Sequence, residues 1–132
     1  MSGHLDFREI KLGFRPNQFL LCPAGVNDEE AHQIAPEYFV SVSDLKSAWI
    51  RVLEAMPRLE RLTWDEDAGY FDLVQRTAIL RFPDRITAQI VSVSKDRSSL
   101  AIYSRSTYGY SDLGVNKARI EAWLAALDRE LS

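Results

Sequence analysis

Between residues 59 and 107 the chain alternates short runs of strand-forming residues with short turns, and this pattern restricts the fold more than any other feature. Strands are predicted at 59–64, 70–76, 86–94 and 100–107, and 79–82 is expected to continue the second strand across a bulge. Connections as short as 65–69 and 96–99 favour antiparallel pairing over parallel crossovers. The pattern therefore predicts an antiparallel sheet.

Two amphipathic helices accompany these strands. The first has apolar residues at i, i+3, i+4, i+7, i+8 and i+11, which are Leu45, Ala48, Trp49, Val52, Leu53 and Met56. Ser43 or Asp44 is expected to cap its start, after a strand predicted at 38–42. The second helix ends the chain, with a stripe made of Leu113, Ile120, Trp123, Leu124, Leu127 and Leu131.

These elements predict the order β-α-β-β-β-β-α and an α+β fold. We expect a two-layer sandwich, in which an antiparallel sheet of about five strands carries both main helices on one face. A chain of 132 residues is large enough for one hydrophobic core, so a single domain is expected over 1–132. Residues 1–36 lack a clear period and hold three of the five prolines. They are predicted to form an irregular arm that packs on a core of 37–132.

Composition and charge argue against several function classes. A net charge of −3, with acidic and basic residues interspersed, argues against nucleic acid as a partner. No apolar run approaches the roughly 20 residues of a membrane helix, so no membrane span is expected. The first residues lack the apolar core of a secretory signal, which predicts a cytoplasmic location. Cys22 is the single cysteine, and the two histidines are not clustered with it, so no metal or cofactor is predicted.

The segment 103–116 concentrates hydroxyl, amide and charged side chains where a strand turns into the last helix. Alternation along the strand places Ser104 and Ser106 on one face and Arg105 on the other. Asn116 lies on the apolar stripe of the helix, where an unpaired buried amide would cost roughly 1–3 kcal/mol. The strand backbone and the hydroxyl groups of Ser104 or Ser106 are candidate partners for that amide.

The segment 103–116, which we call the polar corner, has two interpretations, and the sequence leaves both open. In the structural one, Asp112 caps the helix and Asn116 fastens it to the strand. In the functional one, a small anionic or polar ligand binds where Arg105 neutralises charge, hydroxyl groups orient the ligand and the helix N-terminus adds donors. The candidate ligand-binding residues are Ser104, Arg105, Ser106, Tyr110, Asp112, Asn116 and Arg81.

The same corner resembles a known family. The run Tyr110-Ser-Asp-Leu-Gly-Val-Asn116, followed by Lys117-Ala-Arg119-Ile-Glu121, resembles the signature of Domain of Unknown Function 1499. The likeness spans about residues 15–128 and includes Arg15-Pro-Asn17, Arg81-Phe-Pro-Asp84 and Ser104-Arg-Ser106. The family's usual Pro-Asn-Cys start reads Pro16-Asn17-Gln18 here, so no role for a cysteine at that position carries over. The resemblance implies a bacterial or organellar α+β domain with no assigned activity and no known substrate.

The sequence favours a non-catalytic binding domain, with a small anionic or polar ligand at the corner 104–116. One alternative is a protein-interaction module, homo-oligomeric or with another partner, that uses the sheet, the arm, or exposed rings of Trp64, Tyr70 and Phe71. A third is an enzyme that uses the carboxylate of Asp112 or Asp84 beside Arg105, although no catalytic residue is assigned.

Overall fold

The computed structural model describes residues 3–107 and 114–132, and the statements below concern these residues. Six strands form one sheet with the order β2-β1-β6-β5-β4-β3. Only β1 and β2 pair in parallel, and the other neighbours are antiparallel. The elements are β1 (Gln18–Cys22), β2 (Gln33–Ile34), α1 (Val42–Glu54), β3 (Leu59–Asp65), β4 (Tyr70–Arg76), β5 (Pro83–Ser94), β6 (Arg97–Ser106) and α2 (Val115–Leu131).

The predicted α+β class is confirmed. Both long helices cover one face of the sheet, which we call the helix face, and they meet each other where Trp49 and Trp123 lie with ring centroids 6.0 Å apart. The stripe predicted for α1 is buried from Leu45 to Leu53, against side chains of β4, β5 and β6. Burial of this stripe explains why α1 and the sheet form together, because each covers the apolar surface of the other.

The predicted number of strands was too low, because β1 and β2 lie in the region expected to be an irregular arm. All five residues of β1 are buried. A strand that is buried on both faces has no alternation of polar and apolar residues, so the run from Gln18 to Cys22 carries no period of two. Strand β2 contributes only Gln33 and Ile34, both exposed.

The strand predicted at 38–42 was also wrong. Tyr38 forms a single bridge with Ser98, and Val42 is already the first residue of α1. Ser41 caps this helix, since its hydroxyl oxygen accepts a hydrogen bond of 3.1 Å from the backbone N–H of Asp44. The cap therefore lies two residues before Ser43 and three before Asp44, because Ser41 has the extended backbone of an N-cap and its hydroxyl group reaches the first turn.

Residues 79–82 do not continue β4 as predicted. They belong to a closed loop, in which the backbone N–H of Thr77 donates to the carbonyl oxygen of Phe82 at 3.0 Å. Within it Arg81 has a φ of +61°, a left-handed conformation that a strand does not accommodate. The chain returns to the sheet only at Pro83.

The opposite face of the sheet, which we call the arm face, is partly covered by the N-terminal segment. Phe7 and Ile10 pack there against Leu20, Cys22 and Ala101. Burial raises the pKa of Cys22 to about 11, so its thiol stays protonated at neutral pH. None of the described helices is long and apolar enough to cross a membrane.

We expect Leu73→Ala to lower the free energy of unfolding by about 2–5 kcal/mol, because Leu73 is fully buried between the sheet and the helices. Leu62→Ala is the matched control, since Leu62 lies on β3 with 46% of its surface exposed, and it should change stability by less than about 1 kcal/mol. Urea unfolding of both variants measures the difference. Equal losses would contradict the described core.

Candidate functional site

A cluster of polar side chains is buried on the helix face, at the end of the sheet where β6 finishes and β5 begins. One row of neighbouring positions crosses the sheet here, with Gln75 opposite Asp84, Asp84 opposite Ser106, and the backbone N–H of Ser106 donating to the carbonyl of Asn17. Helix α2 lies above this row. We call the set the buried polar cluster; its members are Asn17, Gln75, Asp84, Ser104, Ser106, Asn116 and Arg119.

The amide of Asn116 joins α2 to two segments of the sheet layer, namely strand β6 and the residue before β1. Ser104 Oγ donates to Asn116 Oδ1 at 2.7 Å. In return Asn116 Nδ2 donates to Ser106 Oγ at 3.1 Å and to the carbonyl oxygen of Asn17 at 3.0 Å. The prediction that Asn116 finds the hydroxyl groups of Ser104 and Ser106 is therefore confirmed.

Arg119 lies one helical turn after Asn116 and completes the cluster. Its Nη2 donates to Asp84 Oδ2 at 2.6 Å, within an ion pair whose two side chains are 7% and 4% exposed. Its Nε donates to Gln75 Oε1 at 2.7 Å, and Nη1 reaches Asn116 Oδ1 at 2.9 Å and Ser104 Oγ at 3.1 Å. The guanidinium group of Arg119 therefore donates hydrogen bonds to four side chains of the protein.

Sequence analysis did not assign Arg119 to the site. A charged residue beside the apolar stripe of a helix is usually solvated, so the helical period alone did not indicate that Arg119 is buried. The available signal was its spacing, because residues three apart on a helix share a face and Asn116 already marked that face as polar. The structure brings Ser104, Ser106 and Asn116 together in this cluster, where their hydrogen bonds fasten α2 to the sheet.

Arg105 lies on the arm face, separated by the sheet from Ser104 and Ser106. It stands directly opposite Arg85 across the β5–β6 pair and opposite Gln18 across the β1–β6 pair. Its Nη1 donates to Thr87 Oγ1 at 3.0 Å and to the carbonyl oxygen of Tyr103 at 2.9 Å. The guanidinium carbon sits 4.4 Å from the centroid of the Tyr103 ring.

Asp72 carries a negative charge in this region, and its carboxylate forms an ion pair with Arg85. Arg85 Nε donates to Asp72 Oδ1 at 2.8 Å, Arg85 Nη2 pairs with Oδ2, and Thr87 Oγ1 donates to Oδ1 at 3.0 Å. Burial alone would raise the pKa of Asp72, but these hydrogen bonds and the charges of Arg85 and Arg105 outweigh it and lower the pKa. Asp72 is therefore ionised at neutral pH.

We call Arg85, Arg105, Asp72, Thr87 and Tyr103 the arginine patch. Its electrostatic balance is uneven, because the patch has two guanidinium groups and one carboxylate, which pairs with Arg85. Burial lowers the pKa of Arg105, and the nearby charge of Arg85 lowers it further, while Tyr103 and Asp72 act in the opposite direction. The net direction is downward, so the present contacts of Arg105 do not fully offset its desolvation.

The remaining predicted residues lie elsewhere. Arg81 is exposed in the loop between β4 and β5 rather than beside Arg105. Tyr110 and Asp112 fall outside the described residues. Tyr70 and Phe71 are buried, so their rings do not offer the contact surface considered for a protein partner.

We expect Arg119→Met to lower the free energy of unfolding by about 3–5 kcal/mol, because Asp84 would keep a buried carboxylate without its partner. Arg129→Met, an exposed position in the last turn of α2, is the control and should cost less than about 1 kcal/mol. Adding Asp84→Asn to Arg119→Met should recover part of the loss, since no charge remains. Chemical denaturation measures all three, and a loss for Arg119→Met as small as the control would contradict the role of the ion pair.

A second prediction concerns the pH dependence of stability. Because the folded pKa of Asp72 is lower than its unfolded value of about 3.9, its stabilising contribution is present above about pH 4 and is lost as the pH falls through the folded pKa. We expect Asp72→Asn to lower stability at pH 7 and to make the fall in stability below pH 4 shallower than in the wild type. Arg85→Gln should also make it shallower, because it removes the principal partner. Unfolding curves recorded across this range test the effect, and unchanged slopes in both variants would refute it.

Comparison with known proteins gives the chain a family and no activity. The family model described as "Protein of unknown function (DUF1499)" matches residues 13–127. No curated protein matches the sequence. The matched range includes every member of the buried polar cluster and of the arginine patch, and it covers most of the chain. This chain therefore belongs to the DUF1499 family.

Proposed function

We propose that this protein binds a small anionic ligand at the arginine patch, without catalysing a reaction on it, and that Arg105 is the principal contact. The observation that carries the proposal is the placement of Arg85 and Arg105 at directly opposite positions of two strands, where Asp72 pairs with Arg85 and not with Arg105. Like charges at opposite positions repel each other. A bound anion would relieve that repulsion.

The donors of Arg105 support an anion in a defined orientation. Nη1 is used by Thr87 and by the carbonyl of Tyr103, whereas Nε and Nη2 donate to none of the described residues. A guanidinium group presents two parallel N–H donors to a carboxylate, sulfate or phosphate group. Tyr103 holds the plane of this group through its ring, so the free donors are oriented before a ligand arrives.

The surroundings of Arg105 favour a negative ligand over a neutral one. Thr87 and Gln18 are neutral, and the hydroxyl group of Tyr103 is bonded to Gln18. The exposed Arg15 is close enough for its charge to lower the pKa of Tyr103, although burial raises that pKa more. Among the described residues, the positive charges of Arg15, Arg85 and Arg105 near the site therefore exceed the negative charge of Asp72.

The state of Asp72 supports binding rather than catalysis. Its two oxygens accept hydrogen bonds from Arg85 and Thr87, and its pKa is lowered. A carboxylate held in this way positions Arg85 and is poorly placed to exchange protons with a ligand. Ser104, Ser106 and Asn116 make their hydrogen bonds within the buried polar cluster. Of the candidate ligand-binding residues, the proposed site therefore keeps Arg105.

A cavity of about 420 Å³ lies on the same face, between residues 4–8 and the sheet. Gln89 and Ala101 line it, and they occupy the next positions on this face after Thr87 and Tyr103. A ligand with an anionic group at Arg105 would therefore have apolar surface nearby. The ligand panel below includes carboxylates with and without an alkyl chain for this reason.

Thermal unfolding in the presence of anions tests the proposal. Sulfate, phosphate, acetate and octanoate are compared with chloride at matched ionic strength. An anion at about 100 times its dissociation constant should add about 2.7 kcal/mol to stability and raise the melting temperature by several degrees. Arg105→Ala should abolish that rise, whereas Arg129→Ala, an exposed arginine on α2, should keep it.

Arg105→Lys separates charge from geometry. It keeps the positive charge and loses the forked donors, so we expect a weaker rise than in the wild type. If no anion raises the melting temperature of the wild type, or if folded Arg105→Ala responds as the wild type does, the proposal is wrong.

A further inference from the structure

The loop between β4 and β5 presents aliphatic side chains to solvent. Ile79 is 89% exposed and Leu80 is 67% exposed, and we call these two neighbours the apolar loop tip. Single exposed apolar residues are common on protein surfaces, but two adjacent large aliphatic residues at the end of a hairpin form a small protruding apolar surface.

Polar contacts hold this loop in shape. The backbone N–H of Phe82 donates to Thr77 Oγ1 at 2.9 Å, in addition to the bond between Thr77 N–H and the carbonyl of Phe82. Arg76 Nη1 donates to the carbonyl oxygen of Arg81 at 3.3 Å. These hydrogen bonds close the loop, and Ile79 and Leu80 are therefore exposed on a loop of defined shape.

Three arginines surround the base of the loop, namely Arg58, Arg76 and Arg81, and we call them the arginine collar. None of them pairs with a carboxylate of the described residues. Two of them donate instead to backbone carbonyls, with Arg58 Nε 2.9 Å from the oxygen of Arg76. The collar is positive in a protein whose net charge is −3.

Backbone strain coincides with the collar. Among the described residues other than glycine, only Arg58 and Arg81 have positive φ, at +56° and +61°. Such conformations are unfavourable for residues with a Cβ atom, and they persist where the surrounding contacts or a function require them. Both positions would be occupied more easily by glycine or asparagine, neither of which carries charge.

We propose that the apolar loop tip and the arginine collar dock this protein on the surface of a bilayer that contains anionic lipids. Ile79 and Leu80 enter the boundary between head groups and acyl chains, and the collar meets the lipid phosphates at the level of the head groups. An apolar projection surrounded by cationic side chains matches this layered surface in both polarity and charge. The docking is peripheral and independent of the arginine patch.

A protein partner fits this surface less well. A stable protein interface buries on the order of 1,000 Å² or more, whereas the loop tip offers two aliphatic side chains. A positive collar without paired carboxylates also matches a uniformly anionic surface better than a mixed protein surface.

Vesicle co-sedimentation of the full chain tests the proposal. Vesicles of phosphatidylcholine alone are compared with vesicles that also contain phosphatidylserine, and we expect binding to the anionic vesicles that weakens as salt is added. The double variant Ile79→Ser/Leu80→Ser should reduce the partition coefficient roughly tenfold or more, because both side chains lose the transfer from water. Arg81→Gln should reduce it about fivefold.

The matched control is Ile34→Ser/Val93→Ser, which removes two exposed apolar side chains far along the sheet from the loop. It should bind as the wild type does, and so should Arg129→Gln, which removes an exposed arginine on α2 outside the loop and the arginine patch. A Leu80→Trp variant gives a direct readout, since its fluorescence should shift to the blue and be quenched by brominated lipid. The proposal is overturned if the wild type does not sediment with anionic vesicles or if the loop variant binds equally well. Loss of self-association in the loop variant, measured by light scattering, together with no vesicle binding, would identify a protein interface instead.

Discussion

The ion pair between Arg119 and Asp84 is the contact on which the attachment of α2 depends. Transfer of two charges from water to a protein interior costs several kcal/mol for each ion, and their mutual attraction offsets this only when other hydrogen bonds complete the geometry. Here Gln75, Ser104 and Asn116 supply those bonds. Because the partners come from β4, β5 and β6, one guanidinium group fixes the position of the helix relative to three strands.

The start of α2 makes this attachment more important. Its N-cap is Gly114, with a φ of +84° and no side chain to cap the helix, and its first turn has no acidic residue. Helices are usually stabilised at this end by a capping side chain or an acidic residue. In this protein Asn116 and Arg119, within the first two turns, anchor the helix through its buried face.

Strand β6 separates two kinds of polar chemistry on the two faces of one sheet. Ser104 and Ser106 face α2, where their hydrogen bonds are made with other buried groups. Arg105, between them in sequence, faces the opposite side and stands opposite Arg85, which pairs with Asp72. The period of two therefore divides a single polar run into a group that stabilises the fold and a patch with unused donors, where we propose the ligand site.

The sequence alone determined the parts of this protein that depend on local periodicity. The stripe of α1, the start of β4 and the partnership of Asn116 with the two serines follow from spacing, because side-chain direction repeats every 3.6 residues in a helix and every two in a strand. Tertiary structure decided the rest. In the folded protein the fully buried β1 is a strand, residues 79–82 belong to a loop, and Arg119 pairs with Asp84, which lies 35 residues earlier in the chain. It also placed Arg85 opposite Arg105, since the register between strands depends on the packing of whole faces and not on the residues of either strand alone.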